Sequence, residues 1–146
     1  MTDETFRPAT ILLVEDNPGD ARLVEEAFHE HRLYNACRHV TDGEQALDYL
    51  YGRNGYEGAP RPDVVLLDLN LPRKDGREVL DIIKADEALH RIPVVALTTS
   101  AAQADVEHCY ASGANAYITK PVDFEKFIDV VKLFEQFWFS VVTLPR

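Results

Sequence analysis

The stretch Pro62-Asp63-Val64-Val65-Leu66-Leu67-Asp68-Leu69-Asn70-Leu71-Pro72 decides how the rest of the chain is read. Four consecutive apolar residues, Val64 to Leu67, stand between a proline–aspartate pair and a second aspartate. A short unbroken apolar run bounded by breakers predicts a strand buried on both faces, the kind that fills a parallel sheet. Asp68 falls where that strand ends. A carboxylate there is costly unless a cation, a donor or solvent satisfies it. It either caps the following loop or belongs to a polar site assembled from distant parts of the chain.

The same pattern recurs on both sides of this stretch. Ala9-Thr10-Ile11-Leu12-Leu13-Val14 runs into Glu15-Asp16-Asn17-Pro18, and Pro93-Val94-Val95-Ala96-Leu97 runs into Thr98-Thr99-Ser100. Asn115-Ala116-Tyr117-Ile118-Thr119 ends in Lys120-Pro121, while the more polar run from Tyr34 to Val40 suits a sheet edge. Helical periodicity fills the gaps. A helix starting at Asn17-Pro18 carries Ala21, Val24, Ala27 and Phe28 as its inner stripe. A second starts at Thr41-Asp42-Gly43-Glu44, capped by Thr41 or Asp42 with Glu44 or Gln45. A third spans Glu78 to Ala85, a polar fourth spans Ala101 to Ala111, and a fifth starts near Asp123. The Gly/Pro-rich segment from Gly52 to Pro62 reads first as a mobile surface insertion and second as a partner-recognition loop. Five strands alternating with five helices predict an α/β fold: one parallel sheet, doubly wound, with right-handed crossovers.

Composition narrows the functions. At 146 residues, with ordinary globular hydrophobicity, the chain suits one domain with a single core. A net charge of −10 argues against nucleic acid and anionic membrane as partners, since both need a basic surface. No apolar run approaches the roughly 20 residues that span a bilayer, and the N-terminus lacks a secretory pattern, so a cytoplasmic protein is expected. Cys37 and Cys109 lack CxxC spacing and read as reduced structural thiols. A GxGxxG dinucleotide loop is missing after the first strand.

In an open parallel sheet the strands' C-terminal ends share one edge, where ligands bind. Glu15-Asp16, Asp68, Thr98 and Lys120 therefore converge there. Three carboxylates make a hard oxygen site suited to Mg²⁺ rather than zinc. A lysine and a hydroxyl opposite the metal complete a cage for a phosphoryl group.

With these residues assembled, the chain resembles the receiver domain of two-component response regulators. The resemblance rests on Val14-Glu15-Asp16-Asn17, Asp42-Gly43 before Ala46-Leu47, Asp68-Leu69-Asn70-Leu71-Pro72, Asp75-Gly76, Thr98, Gly113-Ala114, Tyr117 and Lys120-Pro121. It implies a flavodoxin-like sheet in the order 2-1-3-4-5, with the receiver over residues 10–137 between an N-terminal tail (1–9) and a C-terminal extension (138–146). It further implies that Asp68 accepts a phosphoryl group from a sensor histidine kinase or phosphotransfer protein. Asp16, Asp68 and the backbone carbonyl of Asn70 would hold Mg²⁺, with Glu15 acting through a metal-bound water. Lys120 would pair with Asp68 and then with a phosphoryl oxygen. Thr98 and Tyr117 would be the switch pair, and Asn70 and Ser100 would tune hydrolysis of the aspartyl phosphate. Lys120-Pro121 would be a cis peptide. Glu15 departs from the commonest pattern, where an aspartate stands.

Two rivals share parts of this pattern. An aspartyl-phosphate phosphatase or phosphotransferase wants a second acid two residues after its nucleophile, where this chain has Asn70. A flavodoxin-like FMN carrier wants a hydroxyl- and glycine-rich loop after the first strand, where Glu15-Asp16 would repel the phosphate.

The C-terminus adds Phe137, Trp138, Phe139, Val141, Val142 and Leu144, more apolar surface than one helix face buries. Such a patch either folds back on its own domain or forms a subunit interface, and a homodimer contact is the expected reading. With the Gly/Pro-rich insertion and Pro72-Arg73-Lys74-Asp75-Gly76, it resembles single-domain regulators that pair with bacterial phytochrome kinases.

Overall fold

The computed structural model describes residues 9–30 and 35–120, with the isolated positions Glu125 and Asp129. Strands β1 (Ala9–Val14), β2 (Asn35–Val40), β3 (Val64–Leu67), β4 (Val94–Thr98) and β5 (Ala116–Thr119) form one sheet. Their order is β2-β1-β3-β4-β5, with every neighbouring pair parallel. Helices α1 (Pro18–Glu30), α2 (Gly43–Tyr51), α3 (Gly76–Ala85) and α4 (Gln103–Ser112) fill the crossovers. The expected doubly wound, flavodoxin-like sheet is present, with the weaker strand β2 at its edge. The expected fifth helix, the Lys120–Pro121 bond and the apolar run after Phe137 lie outside the described residues.

Successive strand residues point to opposite faces, so a strand buried on both sides supplies two cores. Ile11, Leu13, Leu66, Val95 and Leu97 meet Ala21, Val24, Ala27 and Phe28, the stripe expected of α1. Leu12, Val14, Val65, Leu67, Val94 and Ala96 point the other way, towards Val79, Leu80 and Ile83 of α3 and toward α2. Each fully buried Val, Leu or Ile contributes about 1.5–3 kcal/mol, so this double layer holds the strand ends rigidly.

The helix starts follow local chemistry. Asn17 Oδ1 accepts from the Asp20 amide at 3.0 Å at the head of α1. Asp42 caps α2 by accepting from the Gln45 amide at 2.8 Å, while Gln45 Oε1 accepts from the Thr41 amide at 3.0 Å. Helix α3 begins at Gly76, two residues before the expected Glu78, because Asp75 caps it by accepting from the Arg77 amide at 3.0 Å. Glycine is a poor helix former, so the pattern alone places the start too late. Helix α4 starts at Gln103, not Ala101, and is closed after Ser112 by Gly113, whose φ of 105° suits a left-handed cap.

The segment from Gly52 to Pro62 does not stand off the domain. Tyr49 donates its hydroxyl to the Pro60 carbonyl at 2.8 Å, and its ring lies 5.4 Å from that of Tyr56. Tyr56 and Ala59 pack against the core beneath. No helix among the described residues is long and apolar enough to cross a membrane.

Parallel pairing continues one step past the strands. The amides of Glu15, Asp68 and Lys120 donate to Val40, Val14 and Thr98 carbonyls at 3.0, 3.0 and 2.7 Å. All three side chains are thereby fixed to one edge of the sheet. Gly76 brings α3 against the same edge: a Cβ there would lie 2.2 Å from the Asp68 carbonyl oxygen and 2.6 Å from Leu69 Cα. Gly76→Ala is therefore expected to destabilise the fold by about 1–3 kcal/mol, as overpacking does. Urea unfolding checks this, with wild-type stability as the contrary result.

Candidate functional site

The edge residues form one buried polar cluster. Asp68, at the tip of β3, is 6% exposed, and its neighbour Glu15, at the tip of β1, is 1% exposed. Such carboxylates need partners, and the sequence supplies one from the far end of β5. The Lys120 ammonium donates to Glu15 Oε1, to Asp68 Oδ2 at 3.1 Å and to Asp20 Oδ2 at 3.0 Å. Backbone amides meet the remaining oxygens: Asn70 donates to Asp68 Oδ1 at 3.0 Å and Asn17 to Glu15 Oε2 at 3.2 Å. His39 fixes the Glu15 backbone, its Nε2 lying 2.7 Å from the Glu15 carbonyl oxygen.

One ammonium shared by three carboxylates leaves negative charge in excess. Burial, reinforced by the charge of Asp68, pushes the Glu15 carboxyl up to about 7 against the pull of Lys120. Burial also works against the Lys120 ammonium, but its bonds to Glu15 and Asp20 and the charge of Asp68 outweigh it, and the lysine is held above its ordinary value. The lysine therefore stays charged. Among its partners, the deeply buried Glu15 is held ready to take up a proton.

Ligand oxygens of Glu15, Asp16 and Asp68 all lie within 4.8 Å of one another, with Glu15 and Asp68 buried and Asp16 exposed. Oxygen-only donors on a half-open rim fit a hard divalent cation that keeps several waters, such as Mg²⁺. A divalent cation would also supply the positive charge that Lys120 alone does not.

Thr98 closes the opposite wall and is 0% exposed. Its Oγ1 accepts from Asn70 Nδ2 and from the Ser100 amide, each at 3.4 Å. Tyr117 donates its hydroxyl to the Ser100 carbonyl at 2.7 Å and packs against the core. The structure thus brings together Glu15, Asp16, Asp68, Asn70, Thr98, Ser100, Tyr117 and Lys120 around one edge.

Sequence reasoning missed two elements. Asp20 holds Lys120 from the first turn of α1, and its signal was a carboxylate one helical turn beyond Asp16. Arg77 and Asp105 form a bidentate pair joining α3 to α4, for which no spacing in the sequence was diagnostic. The cysteines are unpaired thiols, as expected, and burial with nearby Glu25 pushes Cys37 up to about 12.

The family model of the response regulator receiver domain matches residues 11–132. The chain belongs to the response regulator receiver family. Response regulator Rcp1 of Synechocystis sp. is 45% identical over 145 residues, spanning 99% of each chain. The phosphorylated cyanobacterial phytochrome response regulator RcpA superposes with a TM-score of 0.83 at 47% identity, covering 95% of this chain and 99% of that one. The Mn²⁺-bound form of Rcp1 gives a TM-score of 0.82 at 45% identity, covering 95% of this chain and all (100%) of that one. The protein is therefore a receiver that works with a histidine kinase or phosphotransfer partner, and its acidic cluster is able to bind a divalent metal.

A proton on Glu15 competes with a cation, so metal binding to this receiver should release protons near neutrality. Mg²⁺ affinity is expected to strengthen as pH rises through about 7 and to weaken by up to about tenfold per unit below it, for one linked proton. Calorimetric titration in buffers of different ionisation enthalpy checks this. An affinity flat between pH 6 and 8, without proton release, is the contrary result.

Proposed function

We propose that this protein is a stand-alone response regulator that takes a phosphoryl group onto Asp68 from a phosphohistidine and signals through protein contacts. The observation that carries this reading is the surrounding of Asp68: a buried carboxylate 3.1 Å from Lys120 Nζ, in a metal-binding cluster, opposite the buried hydroxyl of Thr98.

The chain's residues divide the work. An Asp68 oxygen attacks phosphorus, a P–O bond forms, and the P–N bond to the donor imidazole breaks in line with it. Lys120, already charged, passes from Asp68 to a phosphoryl oxygen, so positive charge is in place before negative charge develops there. Glu15, Asp16, Asp68 and the Asn70 carbonyl would hold Mg²⁺, which when bound neutralises charge on the transferred group. Thr98 donates its hydroxyl to a phosphoryl oxygen, and Tyr117, tied to the Ser100 carbonyl, follows the movement of that loop. Asn70 and Ser100 border the route by which water reaches the aspartyl phosphate and tune its lifetime. The protein catalyses its own phosphorylation and dephosphorylation without turning over a small substrate.

The likeness to the cyanobacterial phytochrome response regulator RcpA supports a phytochrome-type sensor kinase as donor, and the same reading puts the protein in the cytoplasm. The apolar run Phe137 to Leu144 supports a homodimer, and the receiver boundaries 10–137 leave residues 138–146 as its contact.

Incubation with acetyl phosphate and Mg²⁺ should label the wild type, and Asp68→Asn should take no label. Label retained by that variant rules out Asp68 as the acceptor. Light scattering on the full chain and on a chain truncated after Gln136 should give a dimer and a monomer. Equal monomeric masses rule out the C-terminal interface.

A further inference from the structure

The polar bridge between α3 and α4 lies outside the phosphoryl site, yet it touches both loops that carry it. Arg77, in the first turn of α3, donates from Nε and Nη2 to the two oxygens of Asp105 at 2.6 and 2.7 Å. From Nη1 it also donates to the Leu69 carbonyl at 3.4 Å, next to Asp68 in the chain. Asp105, in the first turn of α4, accepts in addition from the Ser100 hydroxyl. Ser100 in turn donates its amide to Thr98 Oγ1 at 3.4 Å and accepts from Tyr117 at its carbonyl, at 2.7 Å. The contacts form one unbroken path from the loop after Asp68 to the loop after Thr98.

Helix α4 needs such a fastening. Its one buried side chain is Cys109, and Ala102 at its N-cap makes no side-chain hydrogen bond. Beyond that one apolar contact, its place against α3 depends on polar bridges. At the far end, Asp81 accepts from Ser112 at 2.7 Å and lies 3.0 Å from His108 Nε2, on an exposed surface where such contacts contribute little. The Arg77–Asp105 pair is better shielded, with side chains 29% and 18% exposed, and its bidentate geometry fixes direction as well as distance. The Arg77 guanidinium and the Ser100 hydroxyl hold the Asp105 carboxyl well below the usual carboxylate range, so the bridge stays charged at neutral pH.

We propose that Arg77 is a positioning residue for phosphoryl transfer, holding the Thr98 loop inward through Asp105 and Ser100 while gripping the loop after Asp68. This role rests on the reading of Asp68 as phosphoacceptor. Without the bridge, the Ser100 hydroxyl loses its acceptor and Thr98 is less often placed to meet the phosphoryl oxygen.

The test compares initial rates of labelling by acetyl phosphate with Mg²⁺ for the wild type, Asp105→Asn, Arg77→Ala, Ser100→Ala and the Ser100→Ala/Asp105→Asn double variant. Asp105→Asn and Arg77→Ala are each expected to label about tenfold more slowly, within the range of coupling in a shared network, with Mg²⁺ affinity unchanged. In the Ser100→Ala background, Asp105→Asn should slow labelling no further. Wild-type labelling of Asp105→Asn, or an undiminished effect in the Ser100→Ala background, overturns the proposal. Should Asp105→Asn fail to fold, Arg77→Lys carries the test: a rate between wild type and Arg77→Ala supports the bridge, and a wild-type rate overturns it. Failure of the wild type itself to label would instead remove the phosphoacceptor reading.

Discussion

The ammonium of Lys120 faces Glu15, Asp20 and Asp68 at the carboxyl edge of the sheet, and the other features of the site follow from that imbalance. Carboxylates at the ends of buried strands are unfavourable singly and worse together, because each raises the charge the others must bear. The lysine makes their convergence tolerable without neutralising it. The remaining excess gives the cluster its affinity for a divalent cation. The same cation and lysine would then serve a transferred phosphoryl group, so charge balance in the resting protein and charge stabilisation during transfer are one requirement met by one arrangement.

Keeping that arrangement rigid falls to the backbone. Parallel pairing continues past the strand ends through the amides of Glu15, Asp68 and Lys120, each donating to its own neighbouring strand, so three residues distant in sequence are fixed at one edge of the sheet. Gly76 lets the start of α3 press against the Asp68–Leu69 peptide, where a side chain would not fit. The two apolar layers on either face hold the strands in register. By contrast α4, with a single buried side chain, is fastened chiefly by polar contacts. A rigid acceptor beside a lightly held helix suits a protein whose chemistry must alter a surface.

Most of the fold could be read from the chain because its signals are local. Unbroken apolar runs ending in breakers marked β1, β3 and β4, helical stripes marked α1 and α3, and alternation implied a parallel sheet. The pattern places the start of α3 two residues late because the packing that demands Gly76 involves a loop eight residues away in the chain. The Gly/Pro-rich segment reads as a mobile surface insertion, and its anchoring stays hidden because the two tyrosines that hold it, Tyr49 and Tyr56, carry no periodic signal.

Which residues meet at the site is already written in the chain: parallel topology brings Glu15, Asp16, Asp68, Thr98 and Lys120 to one edge whatever their rotamers. How they share charge is set by the packing of one element on another. That Lys120 also reaches Asp20, that Glu15 is buried deeply enough to hold a proton near neutrality, and that Arg77 joins α3 to α4 through Asp105 depend on side-chain reach across elements far apart in the chain. Strand and helix periodicities fix direction along one element, and contacts between elements are set by packing distances that no periodicity encodes.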